Sequence, residues 1–462
     1  MPPVTELVQR DYQEKGSRFL EAAGRAILAD EAGLGKTNQL LMAAAGRTLV
    51  VSPAMLQDVW VSDDPEAPGE AQMWRPDLVE QGLLTWTSYS SLCQRGPDAK
   101  GRMSKVLPRP TKDLLGPWDT VIFDEAHYLK GRKTTWSIAA QKIQTDRLYM
   151  ATGTPIVNWA EELFMLLQLL FPDEAQSGKK YGSFWRWAGK WFQVTASQWD
   201  PQARNVGDLQ EGWSWDDFAT GNDLAGRWLR RERDDVLKDM PPLSRQVIEL
   251  PMTGEQLAVY RKLKKELYVM IESTGNEIIS WSKGGVWTKL LKLTTGIEVE
   301  DLDYRKSGAK LVALREILVE RTHPTLIFCA FRRSCEVAAA VAASLGKSVA
   351  IISGDYTLTE RKRVAKEFQK GKIDVLVGTL GTMSEGLTLT AADTTIFLER
   401  DPRPSKNEQA LRRAHRYGQT RPCLAIDLVT ANSVDANIRK LLAEKTDQQM
   451  GAMRAIDALQ LI

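Results

Sequence analysis

Short runs that are apolar at nearly every position recur along this chain, with amphipathic stretches between them. RTLVVSP (47–53), LLTWTSY (83–89), DTVIFDEAH (119–127) and RLYMATGTP (147–155) make a first series. TLIFCAF (325–331), SVAIISG (348–354), DVLVGTL (374–380), DTTIFLER (393–400) and PCLAIDLV (422–429) make a second. Strands without polar alternation suit a sheet covered on both faces, and strands spaced by helices join through right-handed crossovers into parallel sheets. The pattern predicts an α/β protein with two parallel-sheet lobes.

Between the two series, over 172–300, the strand rhythm fades and tryptophan becomes frequent, as in KKYGSFWRWAGKWFQ. Phe184, Trp187, Ala188 and Trp191 recur at i, i+3, i+4, i+7 spacing, which predicts a buried helical face. Lys179, Lys180, Arg186 and Lys190 lie among them and offer the other reading, a surface for DNA. The Pro241–Pro242 pair ends the helical, tryptophan-rich part, because proline lacks the amide donor and crowds the preceding turn. Three parts are expected: a lobe over 1–171, a helical Trp-rich insertion and linker over 172–300, and a lobe over 301–462 that ends in a brace helix. In that helix SVDANIRKLLAEK puts Ile438, Leu441 and Leu442 on one face, with Ser433 as N-cap.

Composition narrows the class. The 462 residues are 43% hydrophobic and 26% charged, with no apolar run of the roughly 18 residues a membrane span needs. MPPVTELVQRDYQ has no charged-then-apolar leader, so a soluble, cytoplasmic protein without a membrane partner is expected. Lys plus Arg total 61 against 59 Asp plus Glu, and the net charge of +2 leaves any nucleic-acid surface to a local patch. Cys93, Cys329, Cys335 and Cys423 are dispersed, with no C-x-x-C pair and only three histidines, and read as reduced packing residues without structural zinc.

The strongest local chemistry is ILADEAGLGKTNQLLMAA. Gly33 and Gly35 let backbone N–H groups approach a phosphate, Lys36 and the following helix start supply positive charge, and Thr37 offers a hydroxyl to magnesium. The strict phosphate-loop pattern wants glycine at Asp30, and a dinucleotide fingerprint wants glycine at Asn38, so the first match is incomplete and the second fails. DTVIFDEAHYLKG ends an apolar strand in Asp124 and Glu125, at the sheet edge where α/β folds hold ligands. There Asp124 suits magnesium, and Glu125 suits orienting and deprotonating a water. Arg132 and Lys133 follow closely enough to reach DNA near that edge. KGRMSKVLPRPTK (100–112) stays open between a phosphate contact and a solvated loop.

The order of these motifs resembles the Swi/Snf-type DNA-dependent ATPases of helicase superfamily two over nearly the whole chain. DYQEKG, DEAGLGKT, VVSPAMLQDVW, DEAHYLKG and ATGTPIVNWAEELFMLLQLL follow the family's order in the first half. SGDYTLTERKRVAKEFQKG, GTLGTMSEGLTLTAADTTIFLERDPRP and NEQALRRAHRYGQTRP follow it in the second. The resemblance implies two RecA-like lobes with a helical insertion, and ATP with Mg2+ as cofactors. It makes Gln13 the adenine contact, adds Gly386 and Gln409 to the nucleotide residues, and gives Thr152, Thr154 and His127 the coupling of ATP state to closure. It places Trp60, Thr379 and Ser384 on DNA. Ser384-Glu385-Gly386 departs from the glycine-richer run of eukaryotic remodellers, and Arg412 stands where many relatives have aspartate.

Gln409, Arg413, His415, Arg416, Gly418 and Gln419 match the family pattern near the C-terminus. Arg413 and Arg416 stand three apart, so a helix would give them one face, and they are the expected arginine fingers. No chromatin-reading module is expected in the remaining residues; the style is that of compact bacterial, phage or annealing-type members. The expected function is an ATP-driven translocase on duplex or branched DNA with little sequence preference, held by phosphate contacts. A strand-separating or annealing helicase on forked DNA is the alternative. A nucleotide-gated scaffold without turnover is a third, opposed by the intact Lys36, Asp124 and Glu125.

Overall fold

The structure, a computed structural model, describes residues 8–65, 67–97, 105–153, 155–156, 160–196, 204–238, 240–274, 285–296, 308–383, 387–416 and 418–458. Contacts divide the chain into two compact units, one of residues up to 238 together with those from 446, the other of 239–445.

In chain order the first unit carries β1 (Arg25–Leu28), β2 (Thr48–Ser52), β3 (Leu84–Ser88), β4 (Cys93–Gly96), β5 (Lys105–Pro110), β6 (Trp118–Asp124), β7 (Thr145–Ala151), β8 (Phe192–Ala196), β9 (Arg204–Leu209) and β10 (Trp228–Leu229). Six of them form a wholly parallel sheet in the order β10-β1-β7-β6-β2-β3, while β4–β5 and β8–β9 are antiparallel hairpins. The sheet is covered on both faces, which is why its strands read as unbroken apolar runs. Ala26, Leu28, Val50, Ile122 and Tyr149 pack one way, against Leu20, Leu40, Leu41 and Trp60. Ile27, Leu49, Val51, Val121 and Phe123 pack the other way, against Leu163, Leu166, Leu167 and the tryptophan-rich segment.

That segment is core. Phe184, Trp187, Ala188 and Trp191 lie on one helix, Phe184–Trp191, and are each at most 8% exposed. Asn222 sits among the rings and is itself buried. Its Oδ1 accepts from Trp187 Nε1 at 2.7 Å, its Nδ2 donates to Phe218 O at 2.7 Å, and its carbonyl accepts from Tyr181 OH at 2.8 Å, so the polar groups are paired where burial would otherwise penalise them. The nearby cations have local partners too: Lys180 pairs with Asp223, Arg186 donates to Gly178 O, and Lys190 lies over the Trp191 ring. Ala452 and Ile456, from the helix Val434–Ala458, complete this core with no exposed surface. Trp191→Ala is expected to destabilise this unit by about 3–5 kcal/mol, the usual cost of truncating a buried tryptophan. Urea unfolding measures it, and an unchanged midpoint would place the ring outside the core.

The second unit carries β11 (Leu243–Leu250), β12 (Thr325–Cys329), β13 (Val349–Ile352), β14 (Val375–Thr379), β15 (Thr394–Phe397) and β16 (Cys423–Thr430), all parallel, in the order β11-β16-β15-β12-β14-β13. The apolar runs do not disclose β10, which has two residues, or β11, a polar and largely exposed edge strand, LSRQVIEL. Two buried charge clusters brace this unit. Lys310, fully buried, pairs with Asp435 at 2.6 Å, and Glu399 accepts from Ser334 Oγ at 2.7 Å and Ala330 N at 2.9 Å. Ser433 Oγ accepts from Asp435 N at 3.1 Å as a helix cap, and Ile438 packs with Tyr260 and Leu290. All four cysteines are buried free thiols. Among the described residues no helix is long and apolar enough to cross a membrane.

Candidate active site

In the first unit Leu28, Ala151 and Asp124 are register partners across β1, β7 and β6. Because the strands are parallel, the three chains leave the sheet at one edge, and residues from three distant motifs meet there.

Gly33 and Gly35 take φ of 92° and 68°, left-handed values that glycine adopts without steric cost. Gly35 is the N-cap of the helix Lys36–Ala43, and a Cβ on it would collide with the Gln13 side-chain amide. Gln13 Nε2 itself reaches Leu34 O at 3.5 Å, so the helix Asp11–Ala23 lays the expected adenine contact on the phosphate loop. Lys36 Nζ donates to Asp30 O at 2.8 Å and Glu31 O at 3.3 Å, folded onto the loop that it would exchange for phosphate oxygens. Gly153 is adjacent as well: a Cβ there would lie 3.3 Å from Ala32 N and 3.5 Å from Lys36 Nζ.

Asp124 is 7% exposed and held by partners that its own motif does not contain. Trp60 Nε1 donates to Asp124 Oδ2 at 3.0 Å, and Tyr89 OH donates to its carbonyl at 2.8 Å. Burial, aided by the neighbouring Glu125 charge, pushes the Asp124 carboxyl up to about 6, against the pull of the Trp60 N–H and Lys36. Glu125 sits at φ 51°, strained for a residue with a Cβ, at the start of the short helical turn Ala126–Leu129. His127 Nδ1 is hydrogen-bonded with Thr152 Oγ1 at 3.1 Å and lies 3.2 Å from Glu125 Oε2, so one ring nitrogen sits between the acid and the loop after β7. Half-buried Thr37 is the second residue of the helix Lys36–Ala43, and its hydroxyl, like the Asp124 carboxylate, is an oxygen donor of the kind a hard cation such as magnesium takes.

If Asp124 holds the expected magnesium, a proton on it would compete with the cation, and apparent Mg2+ affinity would fall as pH drops through about 6. Trp60→Phe removes a donor that favours the carboxylate and shifts that loss to higher pH. Calorimetric Mg2+ titrations from about pH 8 to about pH 5 check this, and a flat profile would refute it.

Several expected residues are placed differently. Trp60, expected on DNA, has no exposed surface and holds Asp124 instead. Arg132 lies with its guanidinium 3.4 Å from the centre of the Phe184 ring and is half-buried, whereas Lys133 is exposed. Beside Arg132, burial pushes Glu161 up to about 7. Thr154, Ser384 and Gly386 lie outside the described residues, as do 100–104 of the basic stretch.

In the second unit Thr379 ends β14 with its hydroxyl 2.7 Å from that of Thr382. Gln409 is largely buried on the helix Pro404–Leu411. That helix stops before the arginines: Arg412 is its C-cap, and Arg413 N and Ala414 N donate to Ala410 O and Leu411 O in a tight turn. The shared helical face expected for Arg413 and Arg416 is therefore corrected. The turn is fixed by His415, 3% exposed, whose Nε2 lies 2.9 Å from Pro241 O. A carbonyl only accepts, so Nε2 carries the hydrogen, and Nδ1 faces Arg412 Nη1 at 3.4 Å as acceptor. Arg416 Nη1 donates to Thr388 Oγ1 at 3.0 Å. Gln419 Nε2 donates to Ala392 O at 2.8 Å and its Oε1 accepts from Arg421 N at 3.0 Å, closing the turn.

Compared with known proteins, residues 70–295 match the SNF2-related domain and residues 309–418 the helicase conserved C-terminal domain. The DNA annealing helicase and endonuclease ZRANB3 of Bos taurus is 27% identical over 95% of this chain and 42% of its own length. The TATA-binding protein-associated factor mot1 of Aspergillus fumigatus is 25% identical over 100% of this chain and 28% of its own length. Chromodomain-helicase-DNA-binding protein 7 of Homo sapiens is 24% identical over 97% and 16%. The chain thus spans less than half the length of these curated relatives. The solved Sulfolobus solfataricus SWI2/SNF2 ATPase core in complex with dsDNA aligns at 20% identity over 98% of this chain and 95% of that one, with a TM-score of 0.38.

Proposed function

Since the chain belongs to the Swi/Snf-type ATPases of helicase superfamily two, we propose that it is a DNA-stimulated ATPase that translocates along duplex DNA. The observation that carries this is the meeting of Lys36, Asp124, Glu125, His127 and Thr152 at one sheet edge, beside the glycine loop.

Gln13 contacts the adenine. Backbone N–H groups around Gly33 and Gly35 receive the phosphates, and Lys36 leaves the Asp30 and Glu31 carbonyls to neutralise phosphate charge. Thr37 and Asp124 would hold magnesium, which when bound supplies charge neutralisation to the phosphate oxygens. Trp60 keeps Asp124 oriented with its carboxylate oxygen toward the indole N–H. Glu125 orients a water and takes its proton, with the His127 ring nitrogen 3.2 Å from its Oε2. Arg413 and Arg416 supply positive charge to the phosphate as it is transferred, and Gln409 and Gly386 complete the nucleotide contacts. Lys133, Thr379 and Ser384 serve DNA, contacts to phosphate that carry no base preference.

Phosphate release measured with and without duplex DNA tests the reading. A several-fold stimulation that fades steeply with salt is expected, since binding rests on counterion release. Hydrolysis indifferent to DNA would remove translocation, and no hydrolysis at all would leave the scaffold. The likeness to an annealing helicase over 95% of the chain favours a second reading, annealing on branched DNA. Robust re-pairing or unwinding of a forked duplex, without triplex displacement, would select it.

A further inference from the structure

We propose that Arg231 is a positioning residue that binds the phosphate loop and the Tyr12–Gln13 turn into one body, and so sets both the grip on a nucleoside triphosphate and the preference for adenine. The inference rests on the nucleotide reading above.

Asp30 stands where the strict phosphate-loop pattern has glycine, and it is fully buried. Its carboxylate accepts from Arg231 Nε at 3.0 Å and Arg231 Nη2 at 2.5 Å, and from Gln39 Nε2 at 3.1 Å. The same guanidinium donates through Nη2 to Gln39 Oε1 at 2.6 Å and through Nη1 to the Tyr12 carbonyl, and lies over the Tyr12 ring. One arginine therefore contacts the loop entry, the helix that follows the loop and the helix that carries Gln13. A buried carboxylate persists only when paired, and this pairing needs the planar fork that lysine lacks.

The backbone reinforces the contact. Ala29 N donates to Leu229 O at 2.7 Å and Glu31 N to Arg231 O at 3.2 Å, while Arg233 N donates to Glu31 Oε2 at 3.1 Å. Residues 229–233 thus run alongside the loop entry, continuing the pairing of β10 with β1. Gly16 permits the crossing: a Cβ there would overlap Gln39 Oε1 and crowd Arg231 Nη2 at 2.8 Å. Arg230, the adjacent cation, turns away to Asp457 at 2.7 Å.

The experiment compares the whole chain with Arg231→Lys, Asp30→Asn and the double variant. Titrations with fluorescent ATP and GTP analogues, kcat and KM for ATP, and thermal melting are read together. Each single variant is expected to weaken ATP binding about tenfold and to narrow the ATP-over-GTP preference by a similar factor, with kcat at saturation reduced far less. The double variant should be no worse than the weaker single one, because both act through one contact. Unchanged affinity and selectivity in folded variants would overturn the role of Arg231, as would a joint fall of kcat, affinity and melting temperature, the mark of a merely structural pair. If Arg231→Lys does not fold, Asp30→Gly, which restores the loop pattern's own residue, carries the same comparison. A native chain that binds neither nucleotide overturns the nucleotide reading itself; a native chain that binds, with variants that do not differ from it, overturns only the positioning role.

Discussion

Glu125→Gln is expected to lower ATP turnover by about 10²–10⁴-fold while leaving ATP and DNA binding close to native, because it removes a proton acceptor without removing a contact. Glutamine has the same shape, and its amide can still reach His127 Nδ1, which lies 3.2 Å from Glu125 Oε2. At the left-handed φ of 51° glutamine is no more strained than glutamate, because the two share the same Cβ and branching. The fold and the grip on phosphate therefore survive, and the loss falls on the chemical step. Single-turnover phosphate release beside equilibrium ATP and DNA titrations measures the split. Turnover near native would show that another group takes the proton.

Arg416→Ala is expected to reduce hydrolysis by about 10³–10⁵-fold, the range for an arginine that stabilises transferred phosphate, with ATP binding largely kept. Arg412→Ala is expected to retain most activity. The structure supplies the reason for the contrast. Arg412 Nη2 lies 3.8 Å from Glu408, but Arg245 already occupies both oxygens of that carboxylate at 2.7 and 3.0 Å, so the acid keeps a partner when Arg412 is lost. Arg416 is half-exposed and bonded to the Thr388 hydroxyl, a contact that phosphate oxygens would replace favourably. Steady-state turnover with nucleotide binding for each variant distinguishes them. Equal losses would mean that the charge of the turn matters and the position of Arg416 does not.

Much of the site was legible because its parts are local. Gly33, Gly35, Lys36 and Thr37 are neighbours in the chain, and so are Asp124, Glu125 and His127. Apolar runs located both sheets for a related reason: a strand buried on both faces leaves a continuous signature in the chain itself. The edge strand Leu243–Leu250 left none, being polar and exposed. The arginine turn misled for the opposite reason. Its residues have helical spacing, but the helix stops at Leu411 where His415 bonds the distant Pro241 carbonyl.

By itself the sequence determined the two-lobed α/β class, the order of the motifs and the local chemistry at each strand end, since periodicity and neighbouring residues encode these directly. Only the tertiary structure decided which side chains hold that chemistry in place. Trp60 on Asp124, Tyr89 on the Asp124 carbonyl and Arg231 on Asp30 join residues 64, 35 and 201 positions apart. It also decided that the tryptophans of 184–191 and the terminal Ile456 fill one core. Such pairings arise from packing and from the need to satisfy buried polar groups, and no periodicity along the chain records them.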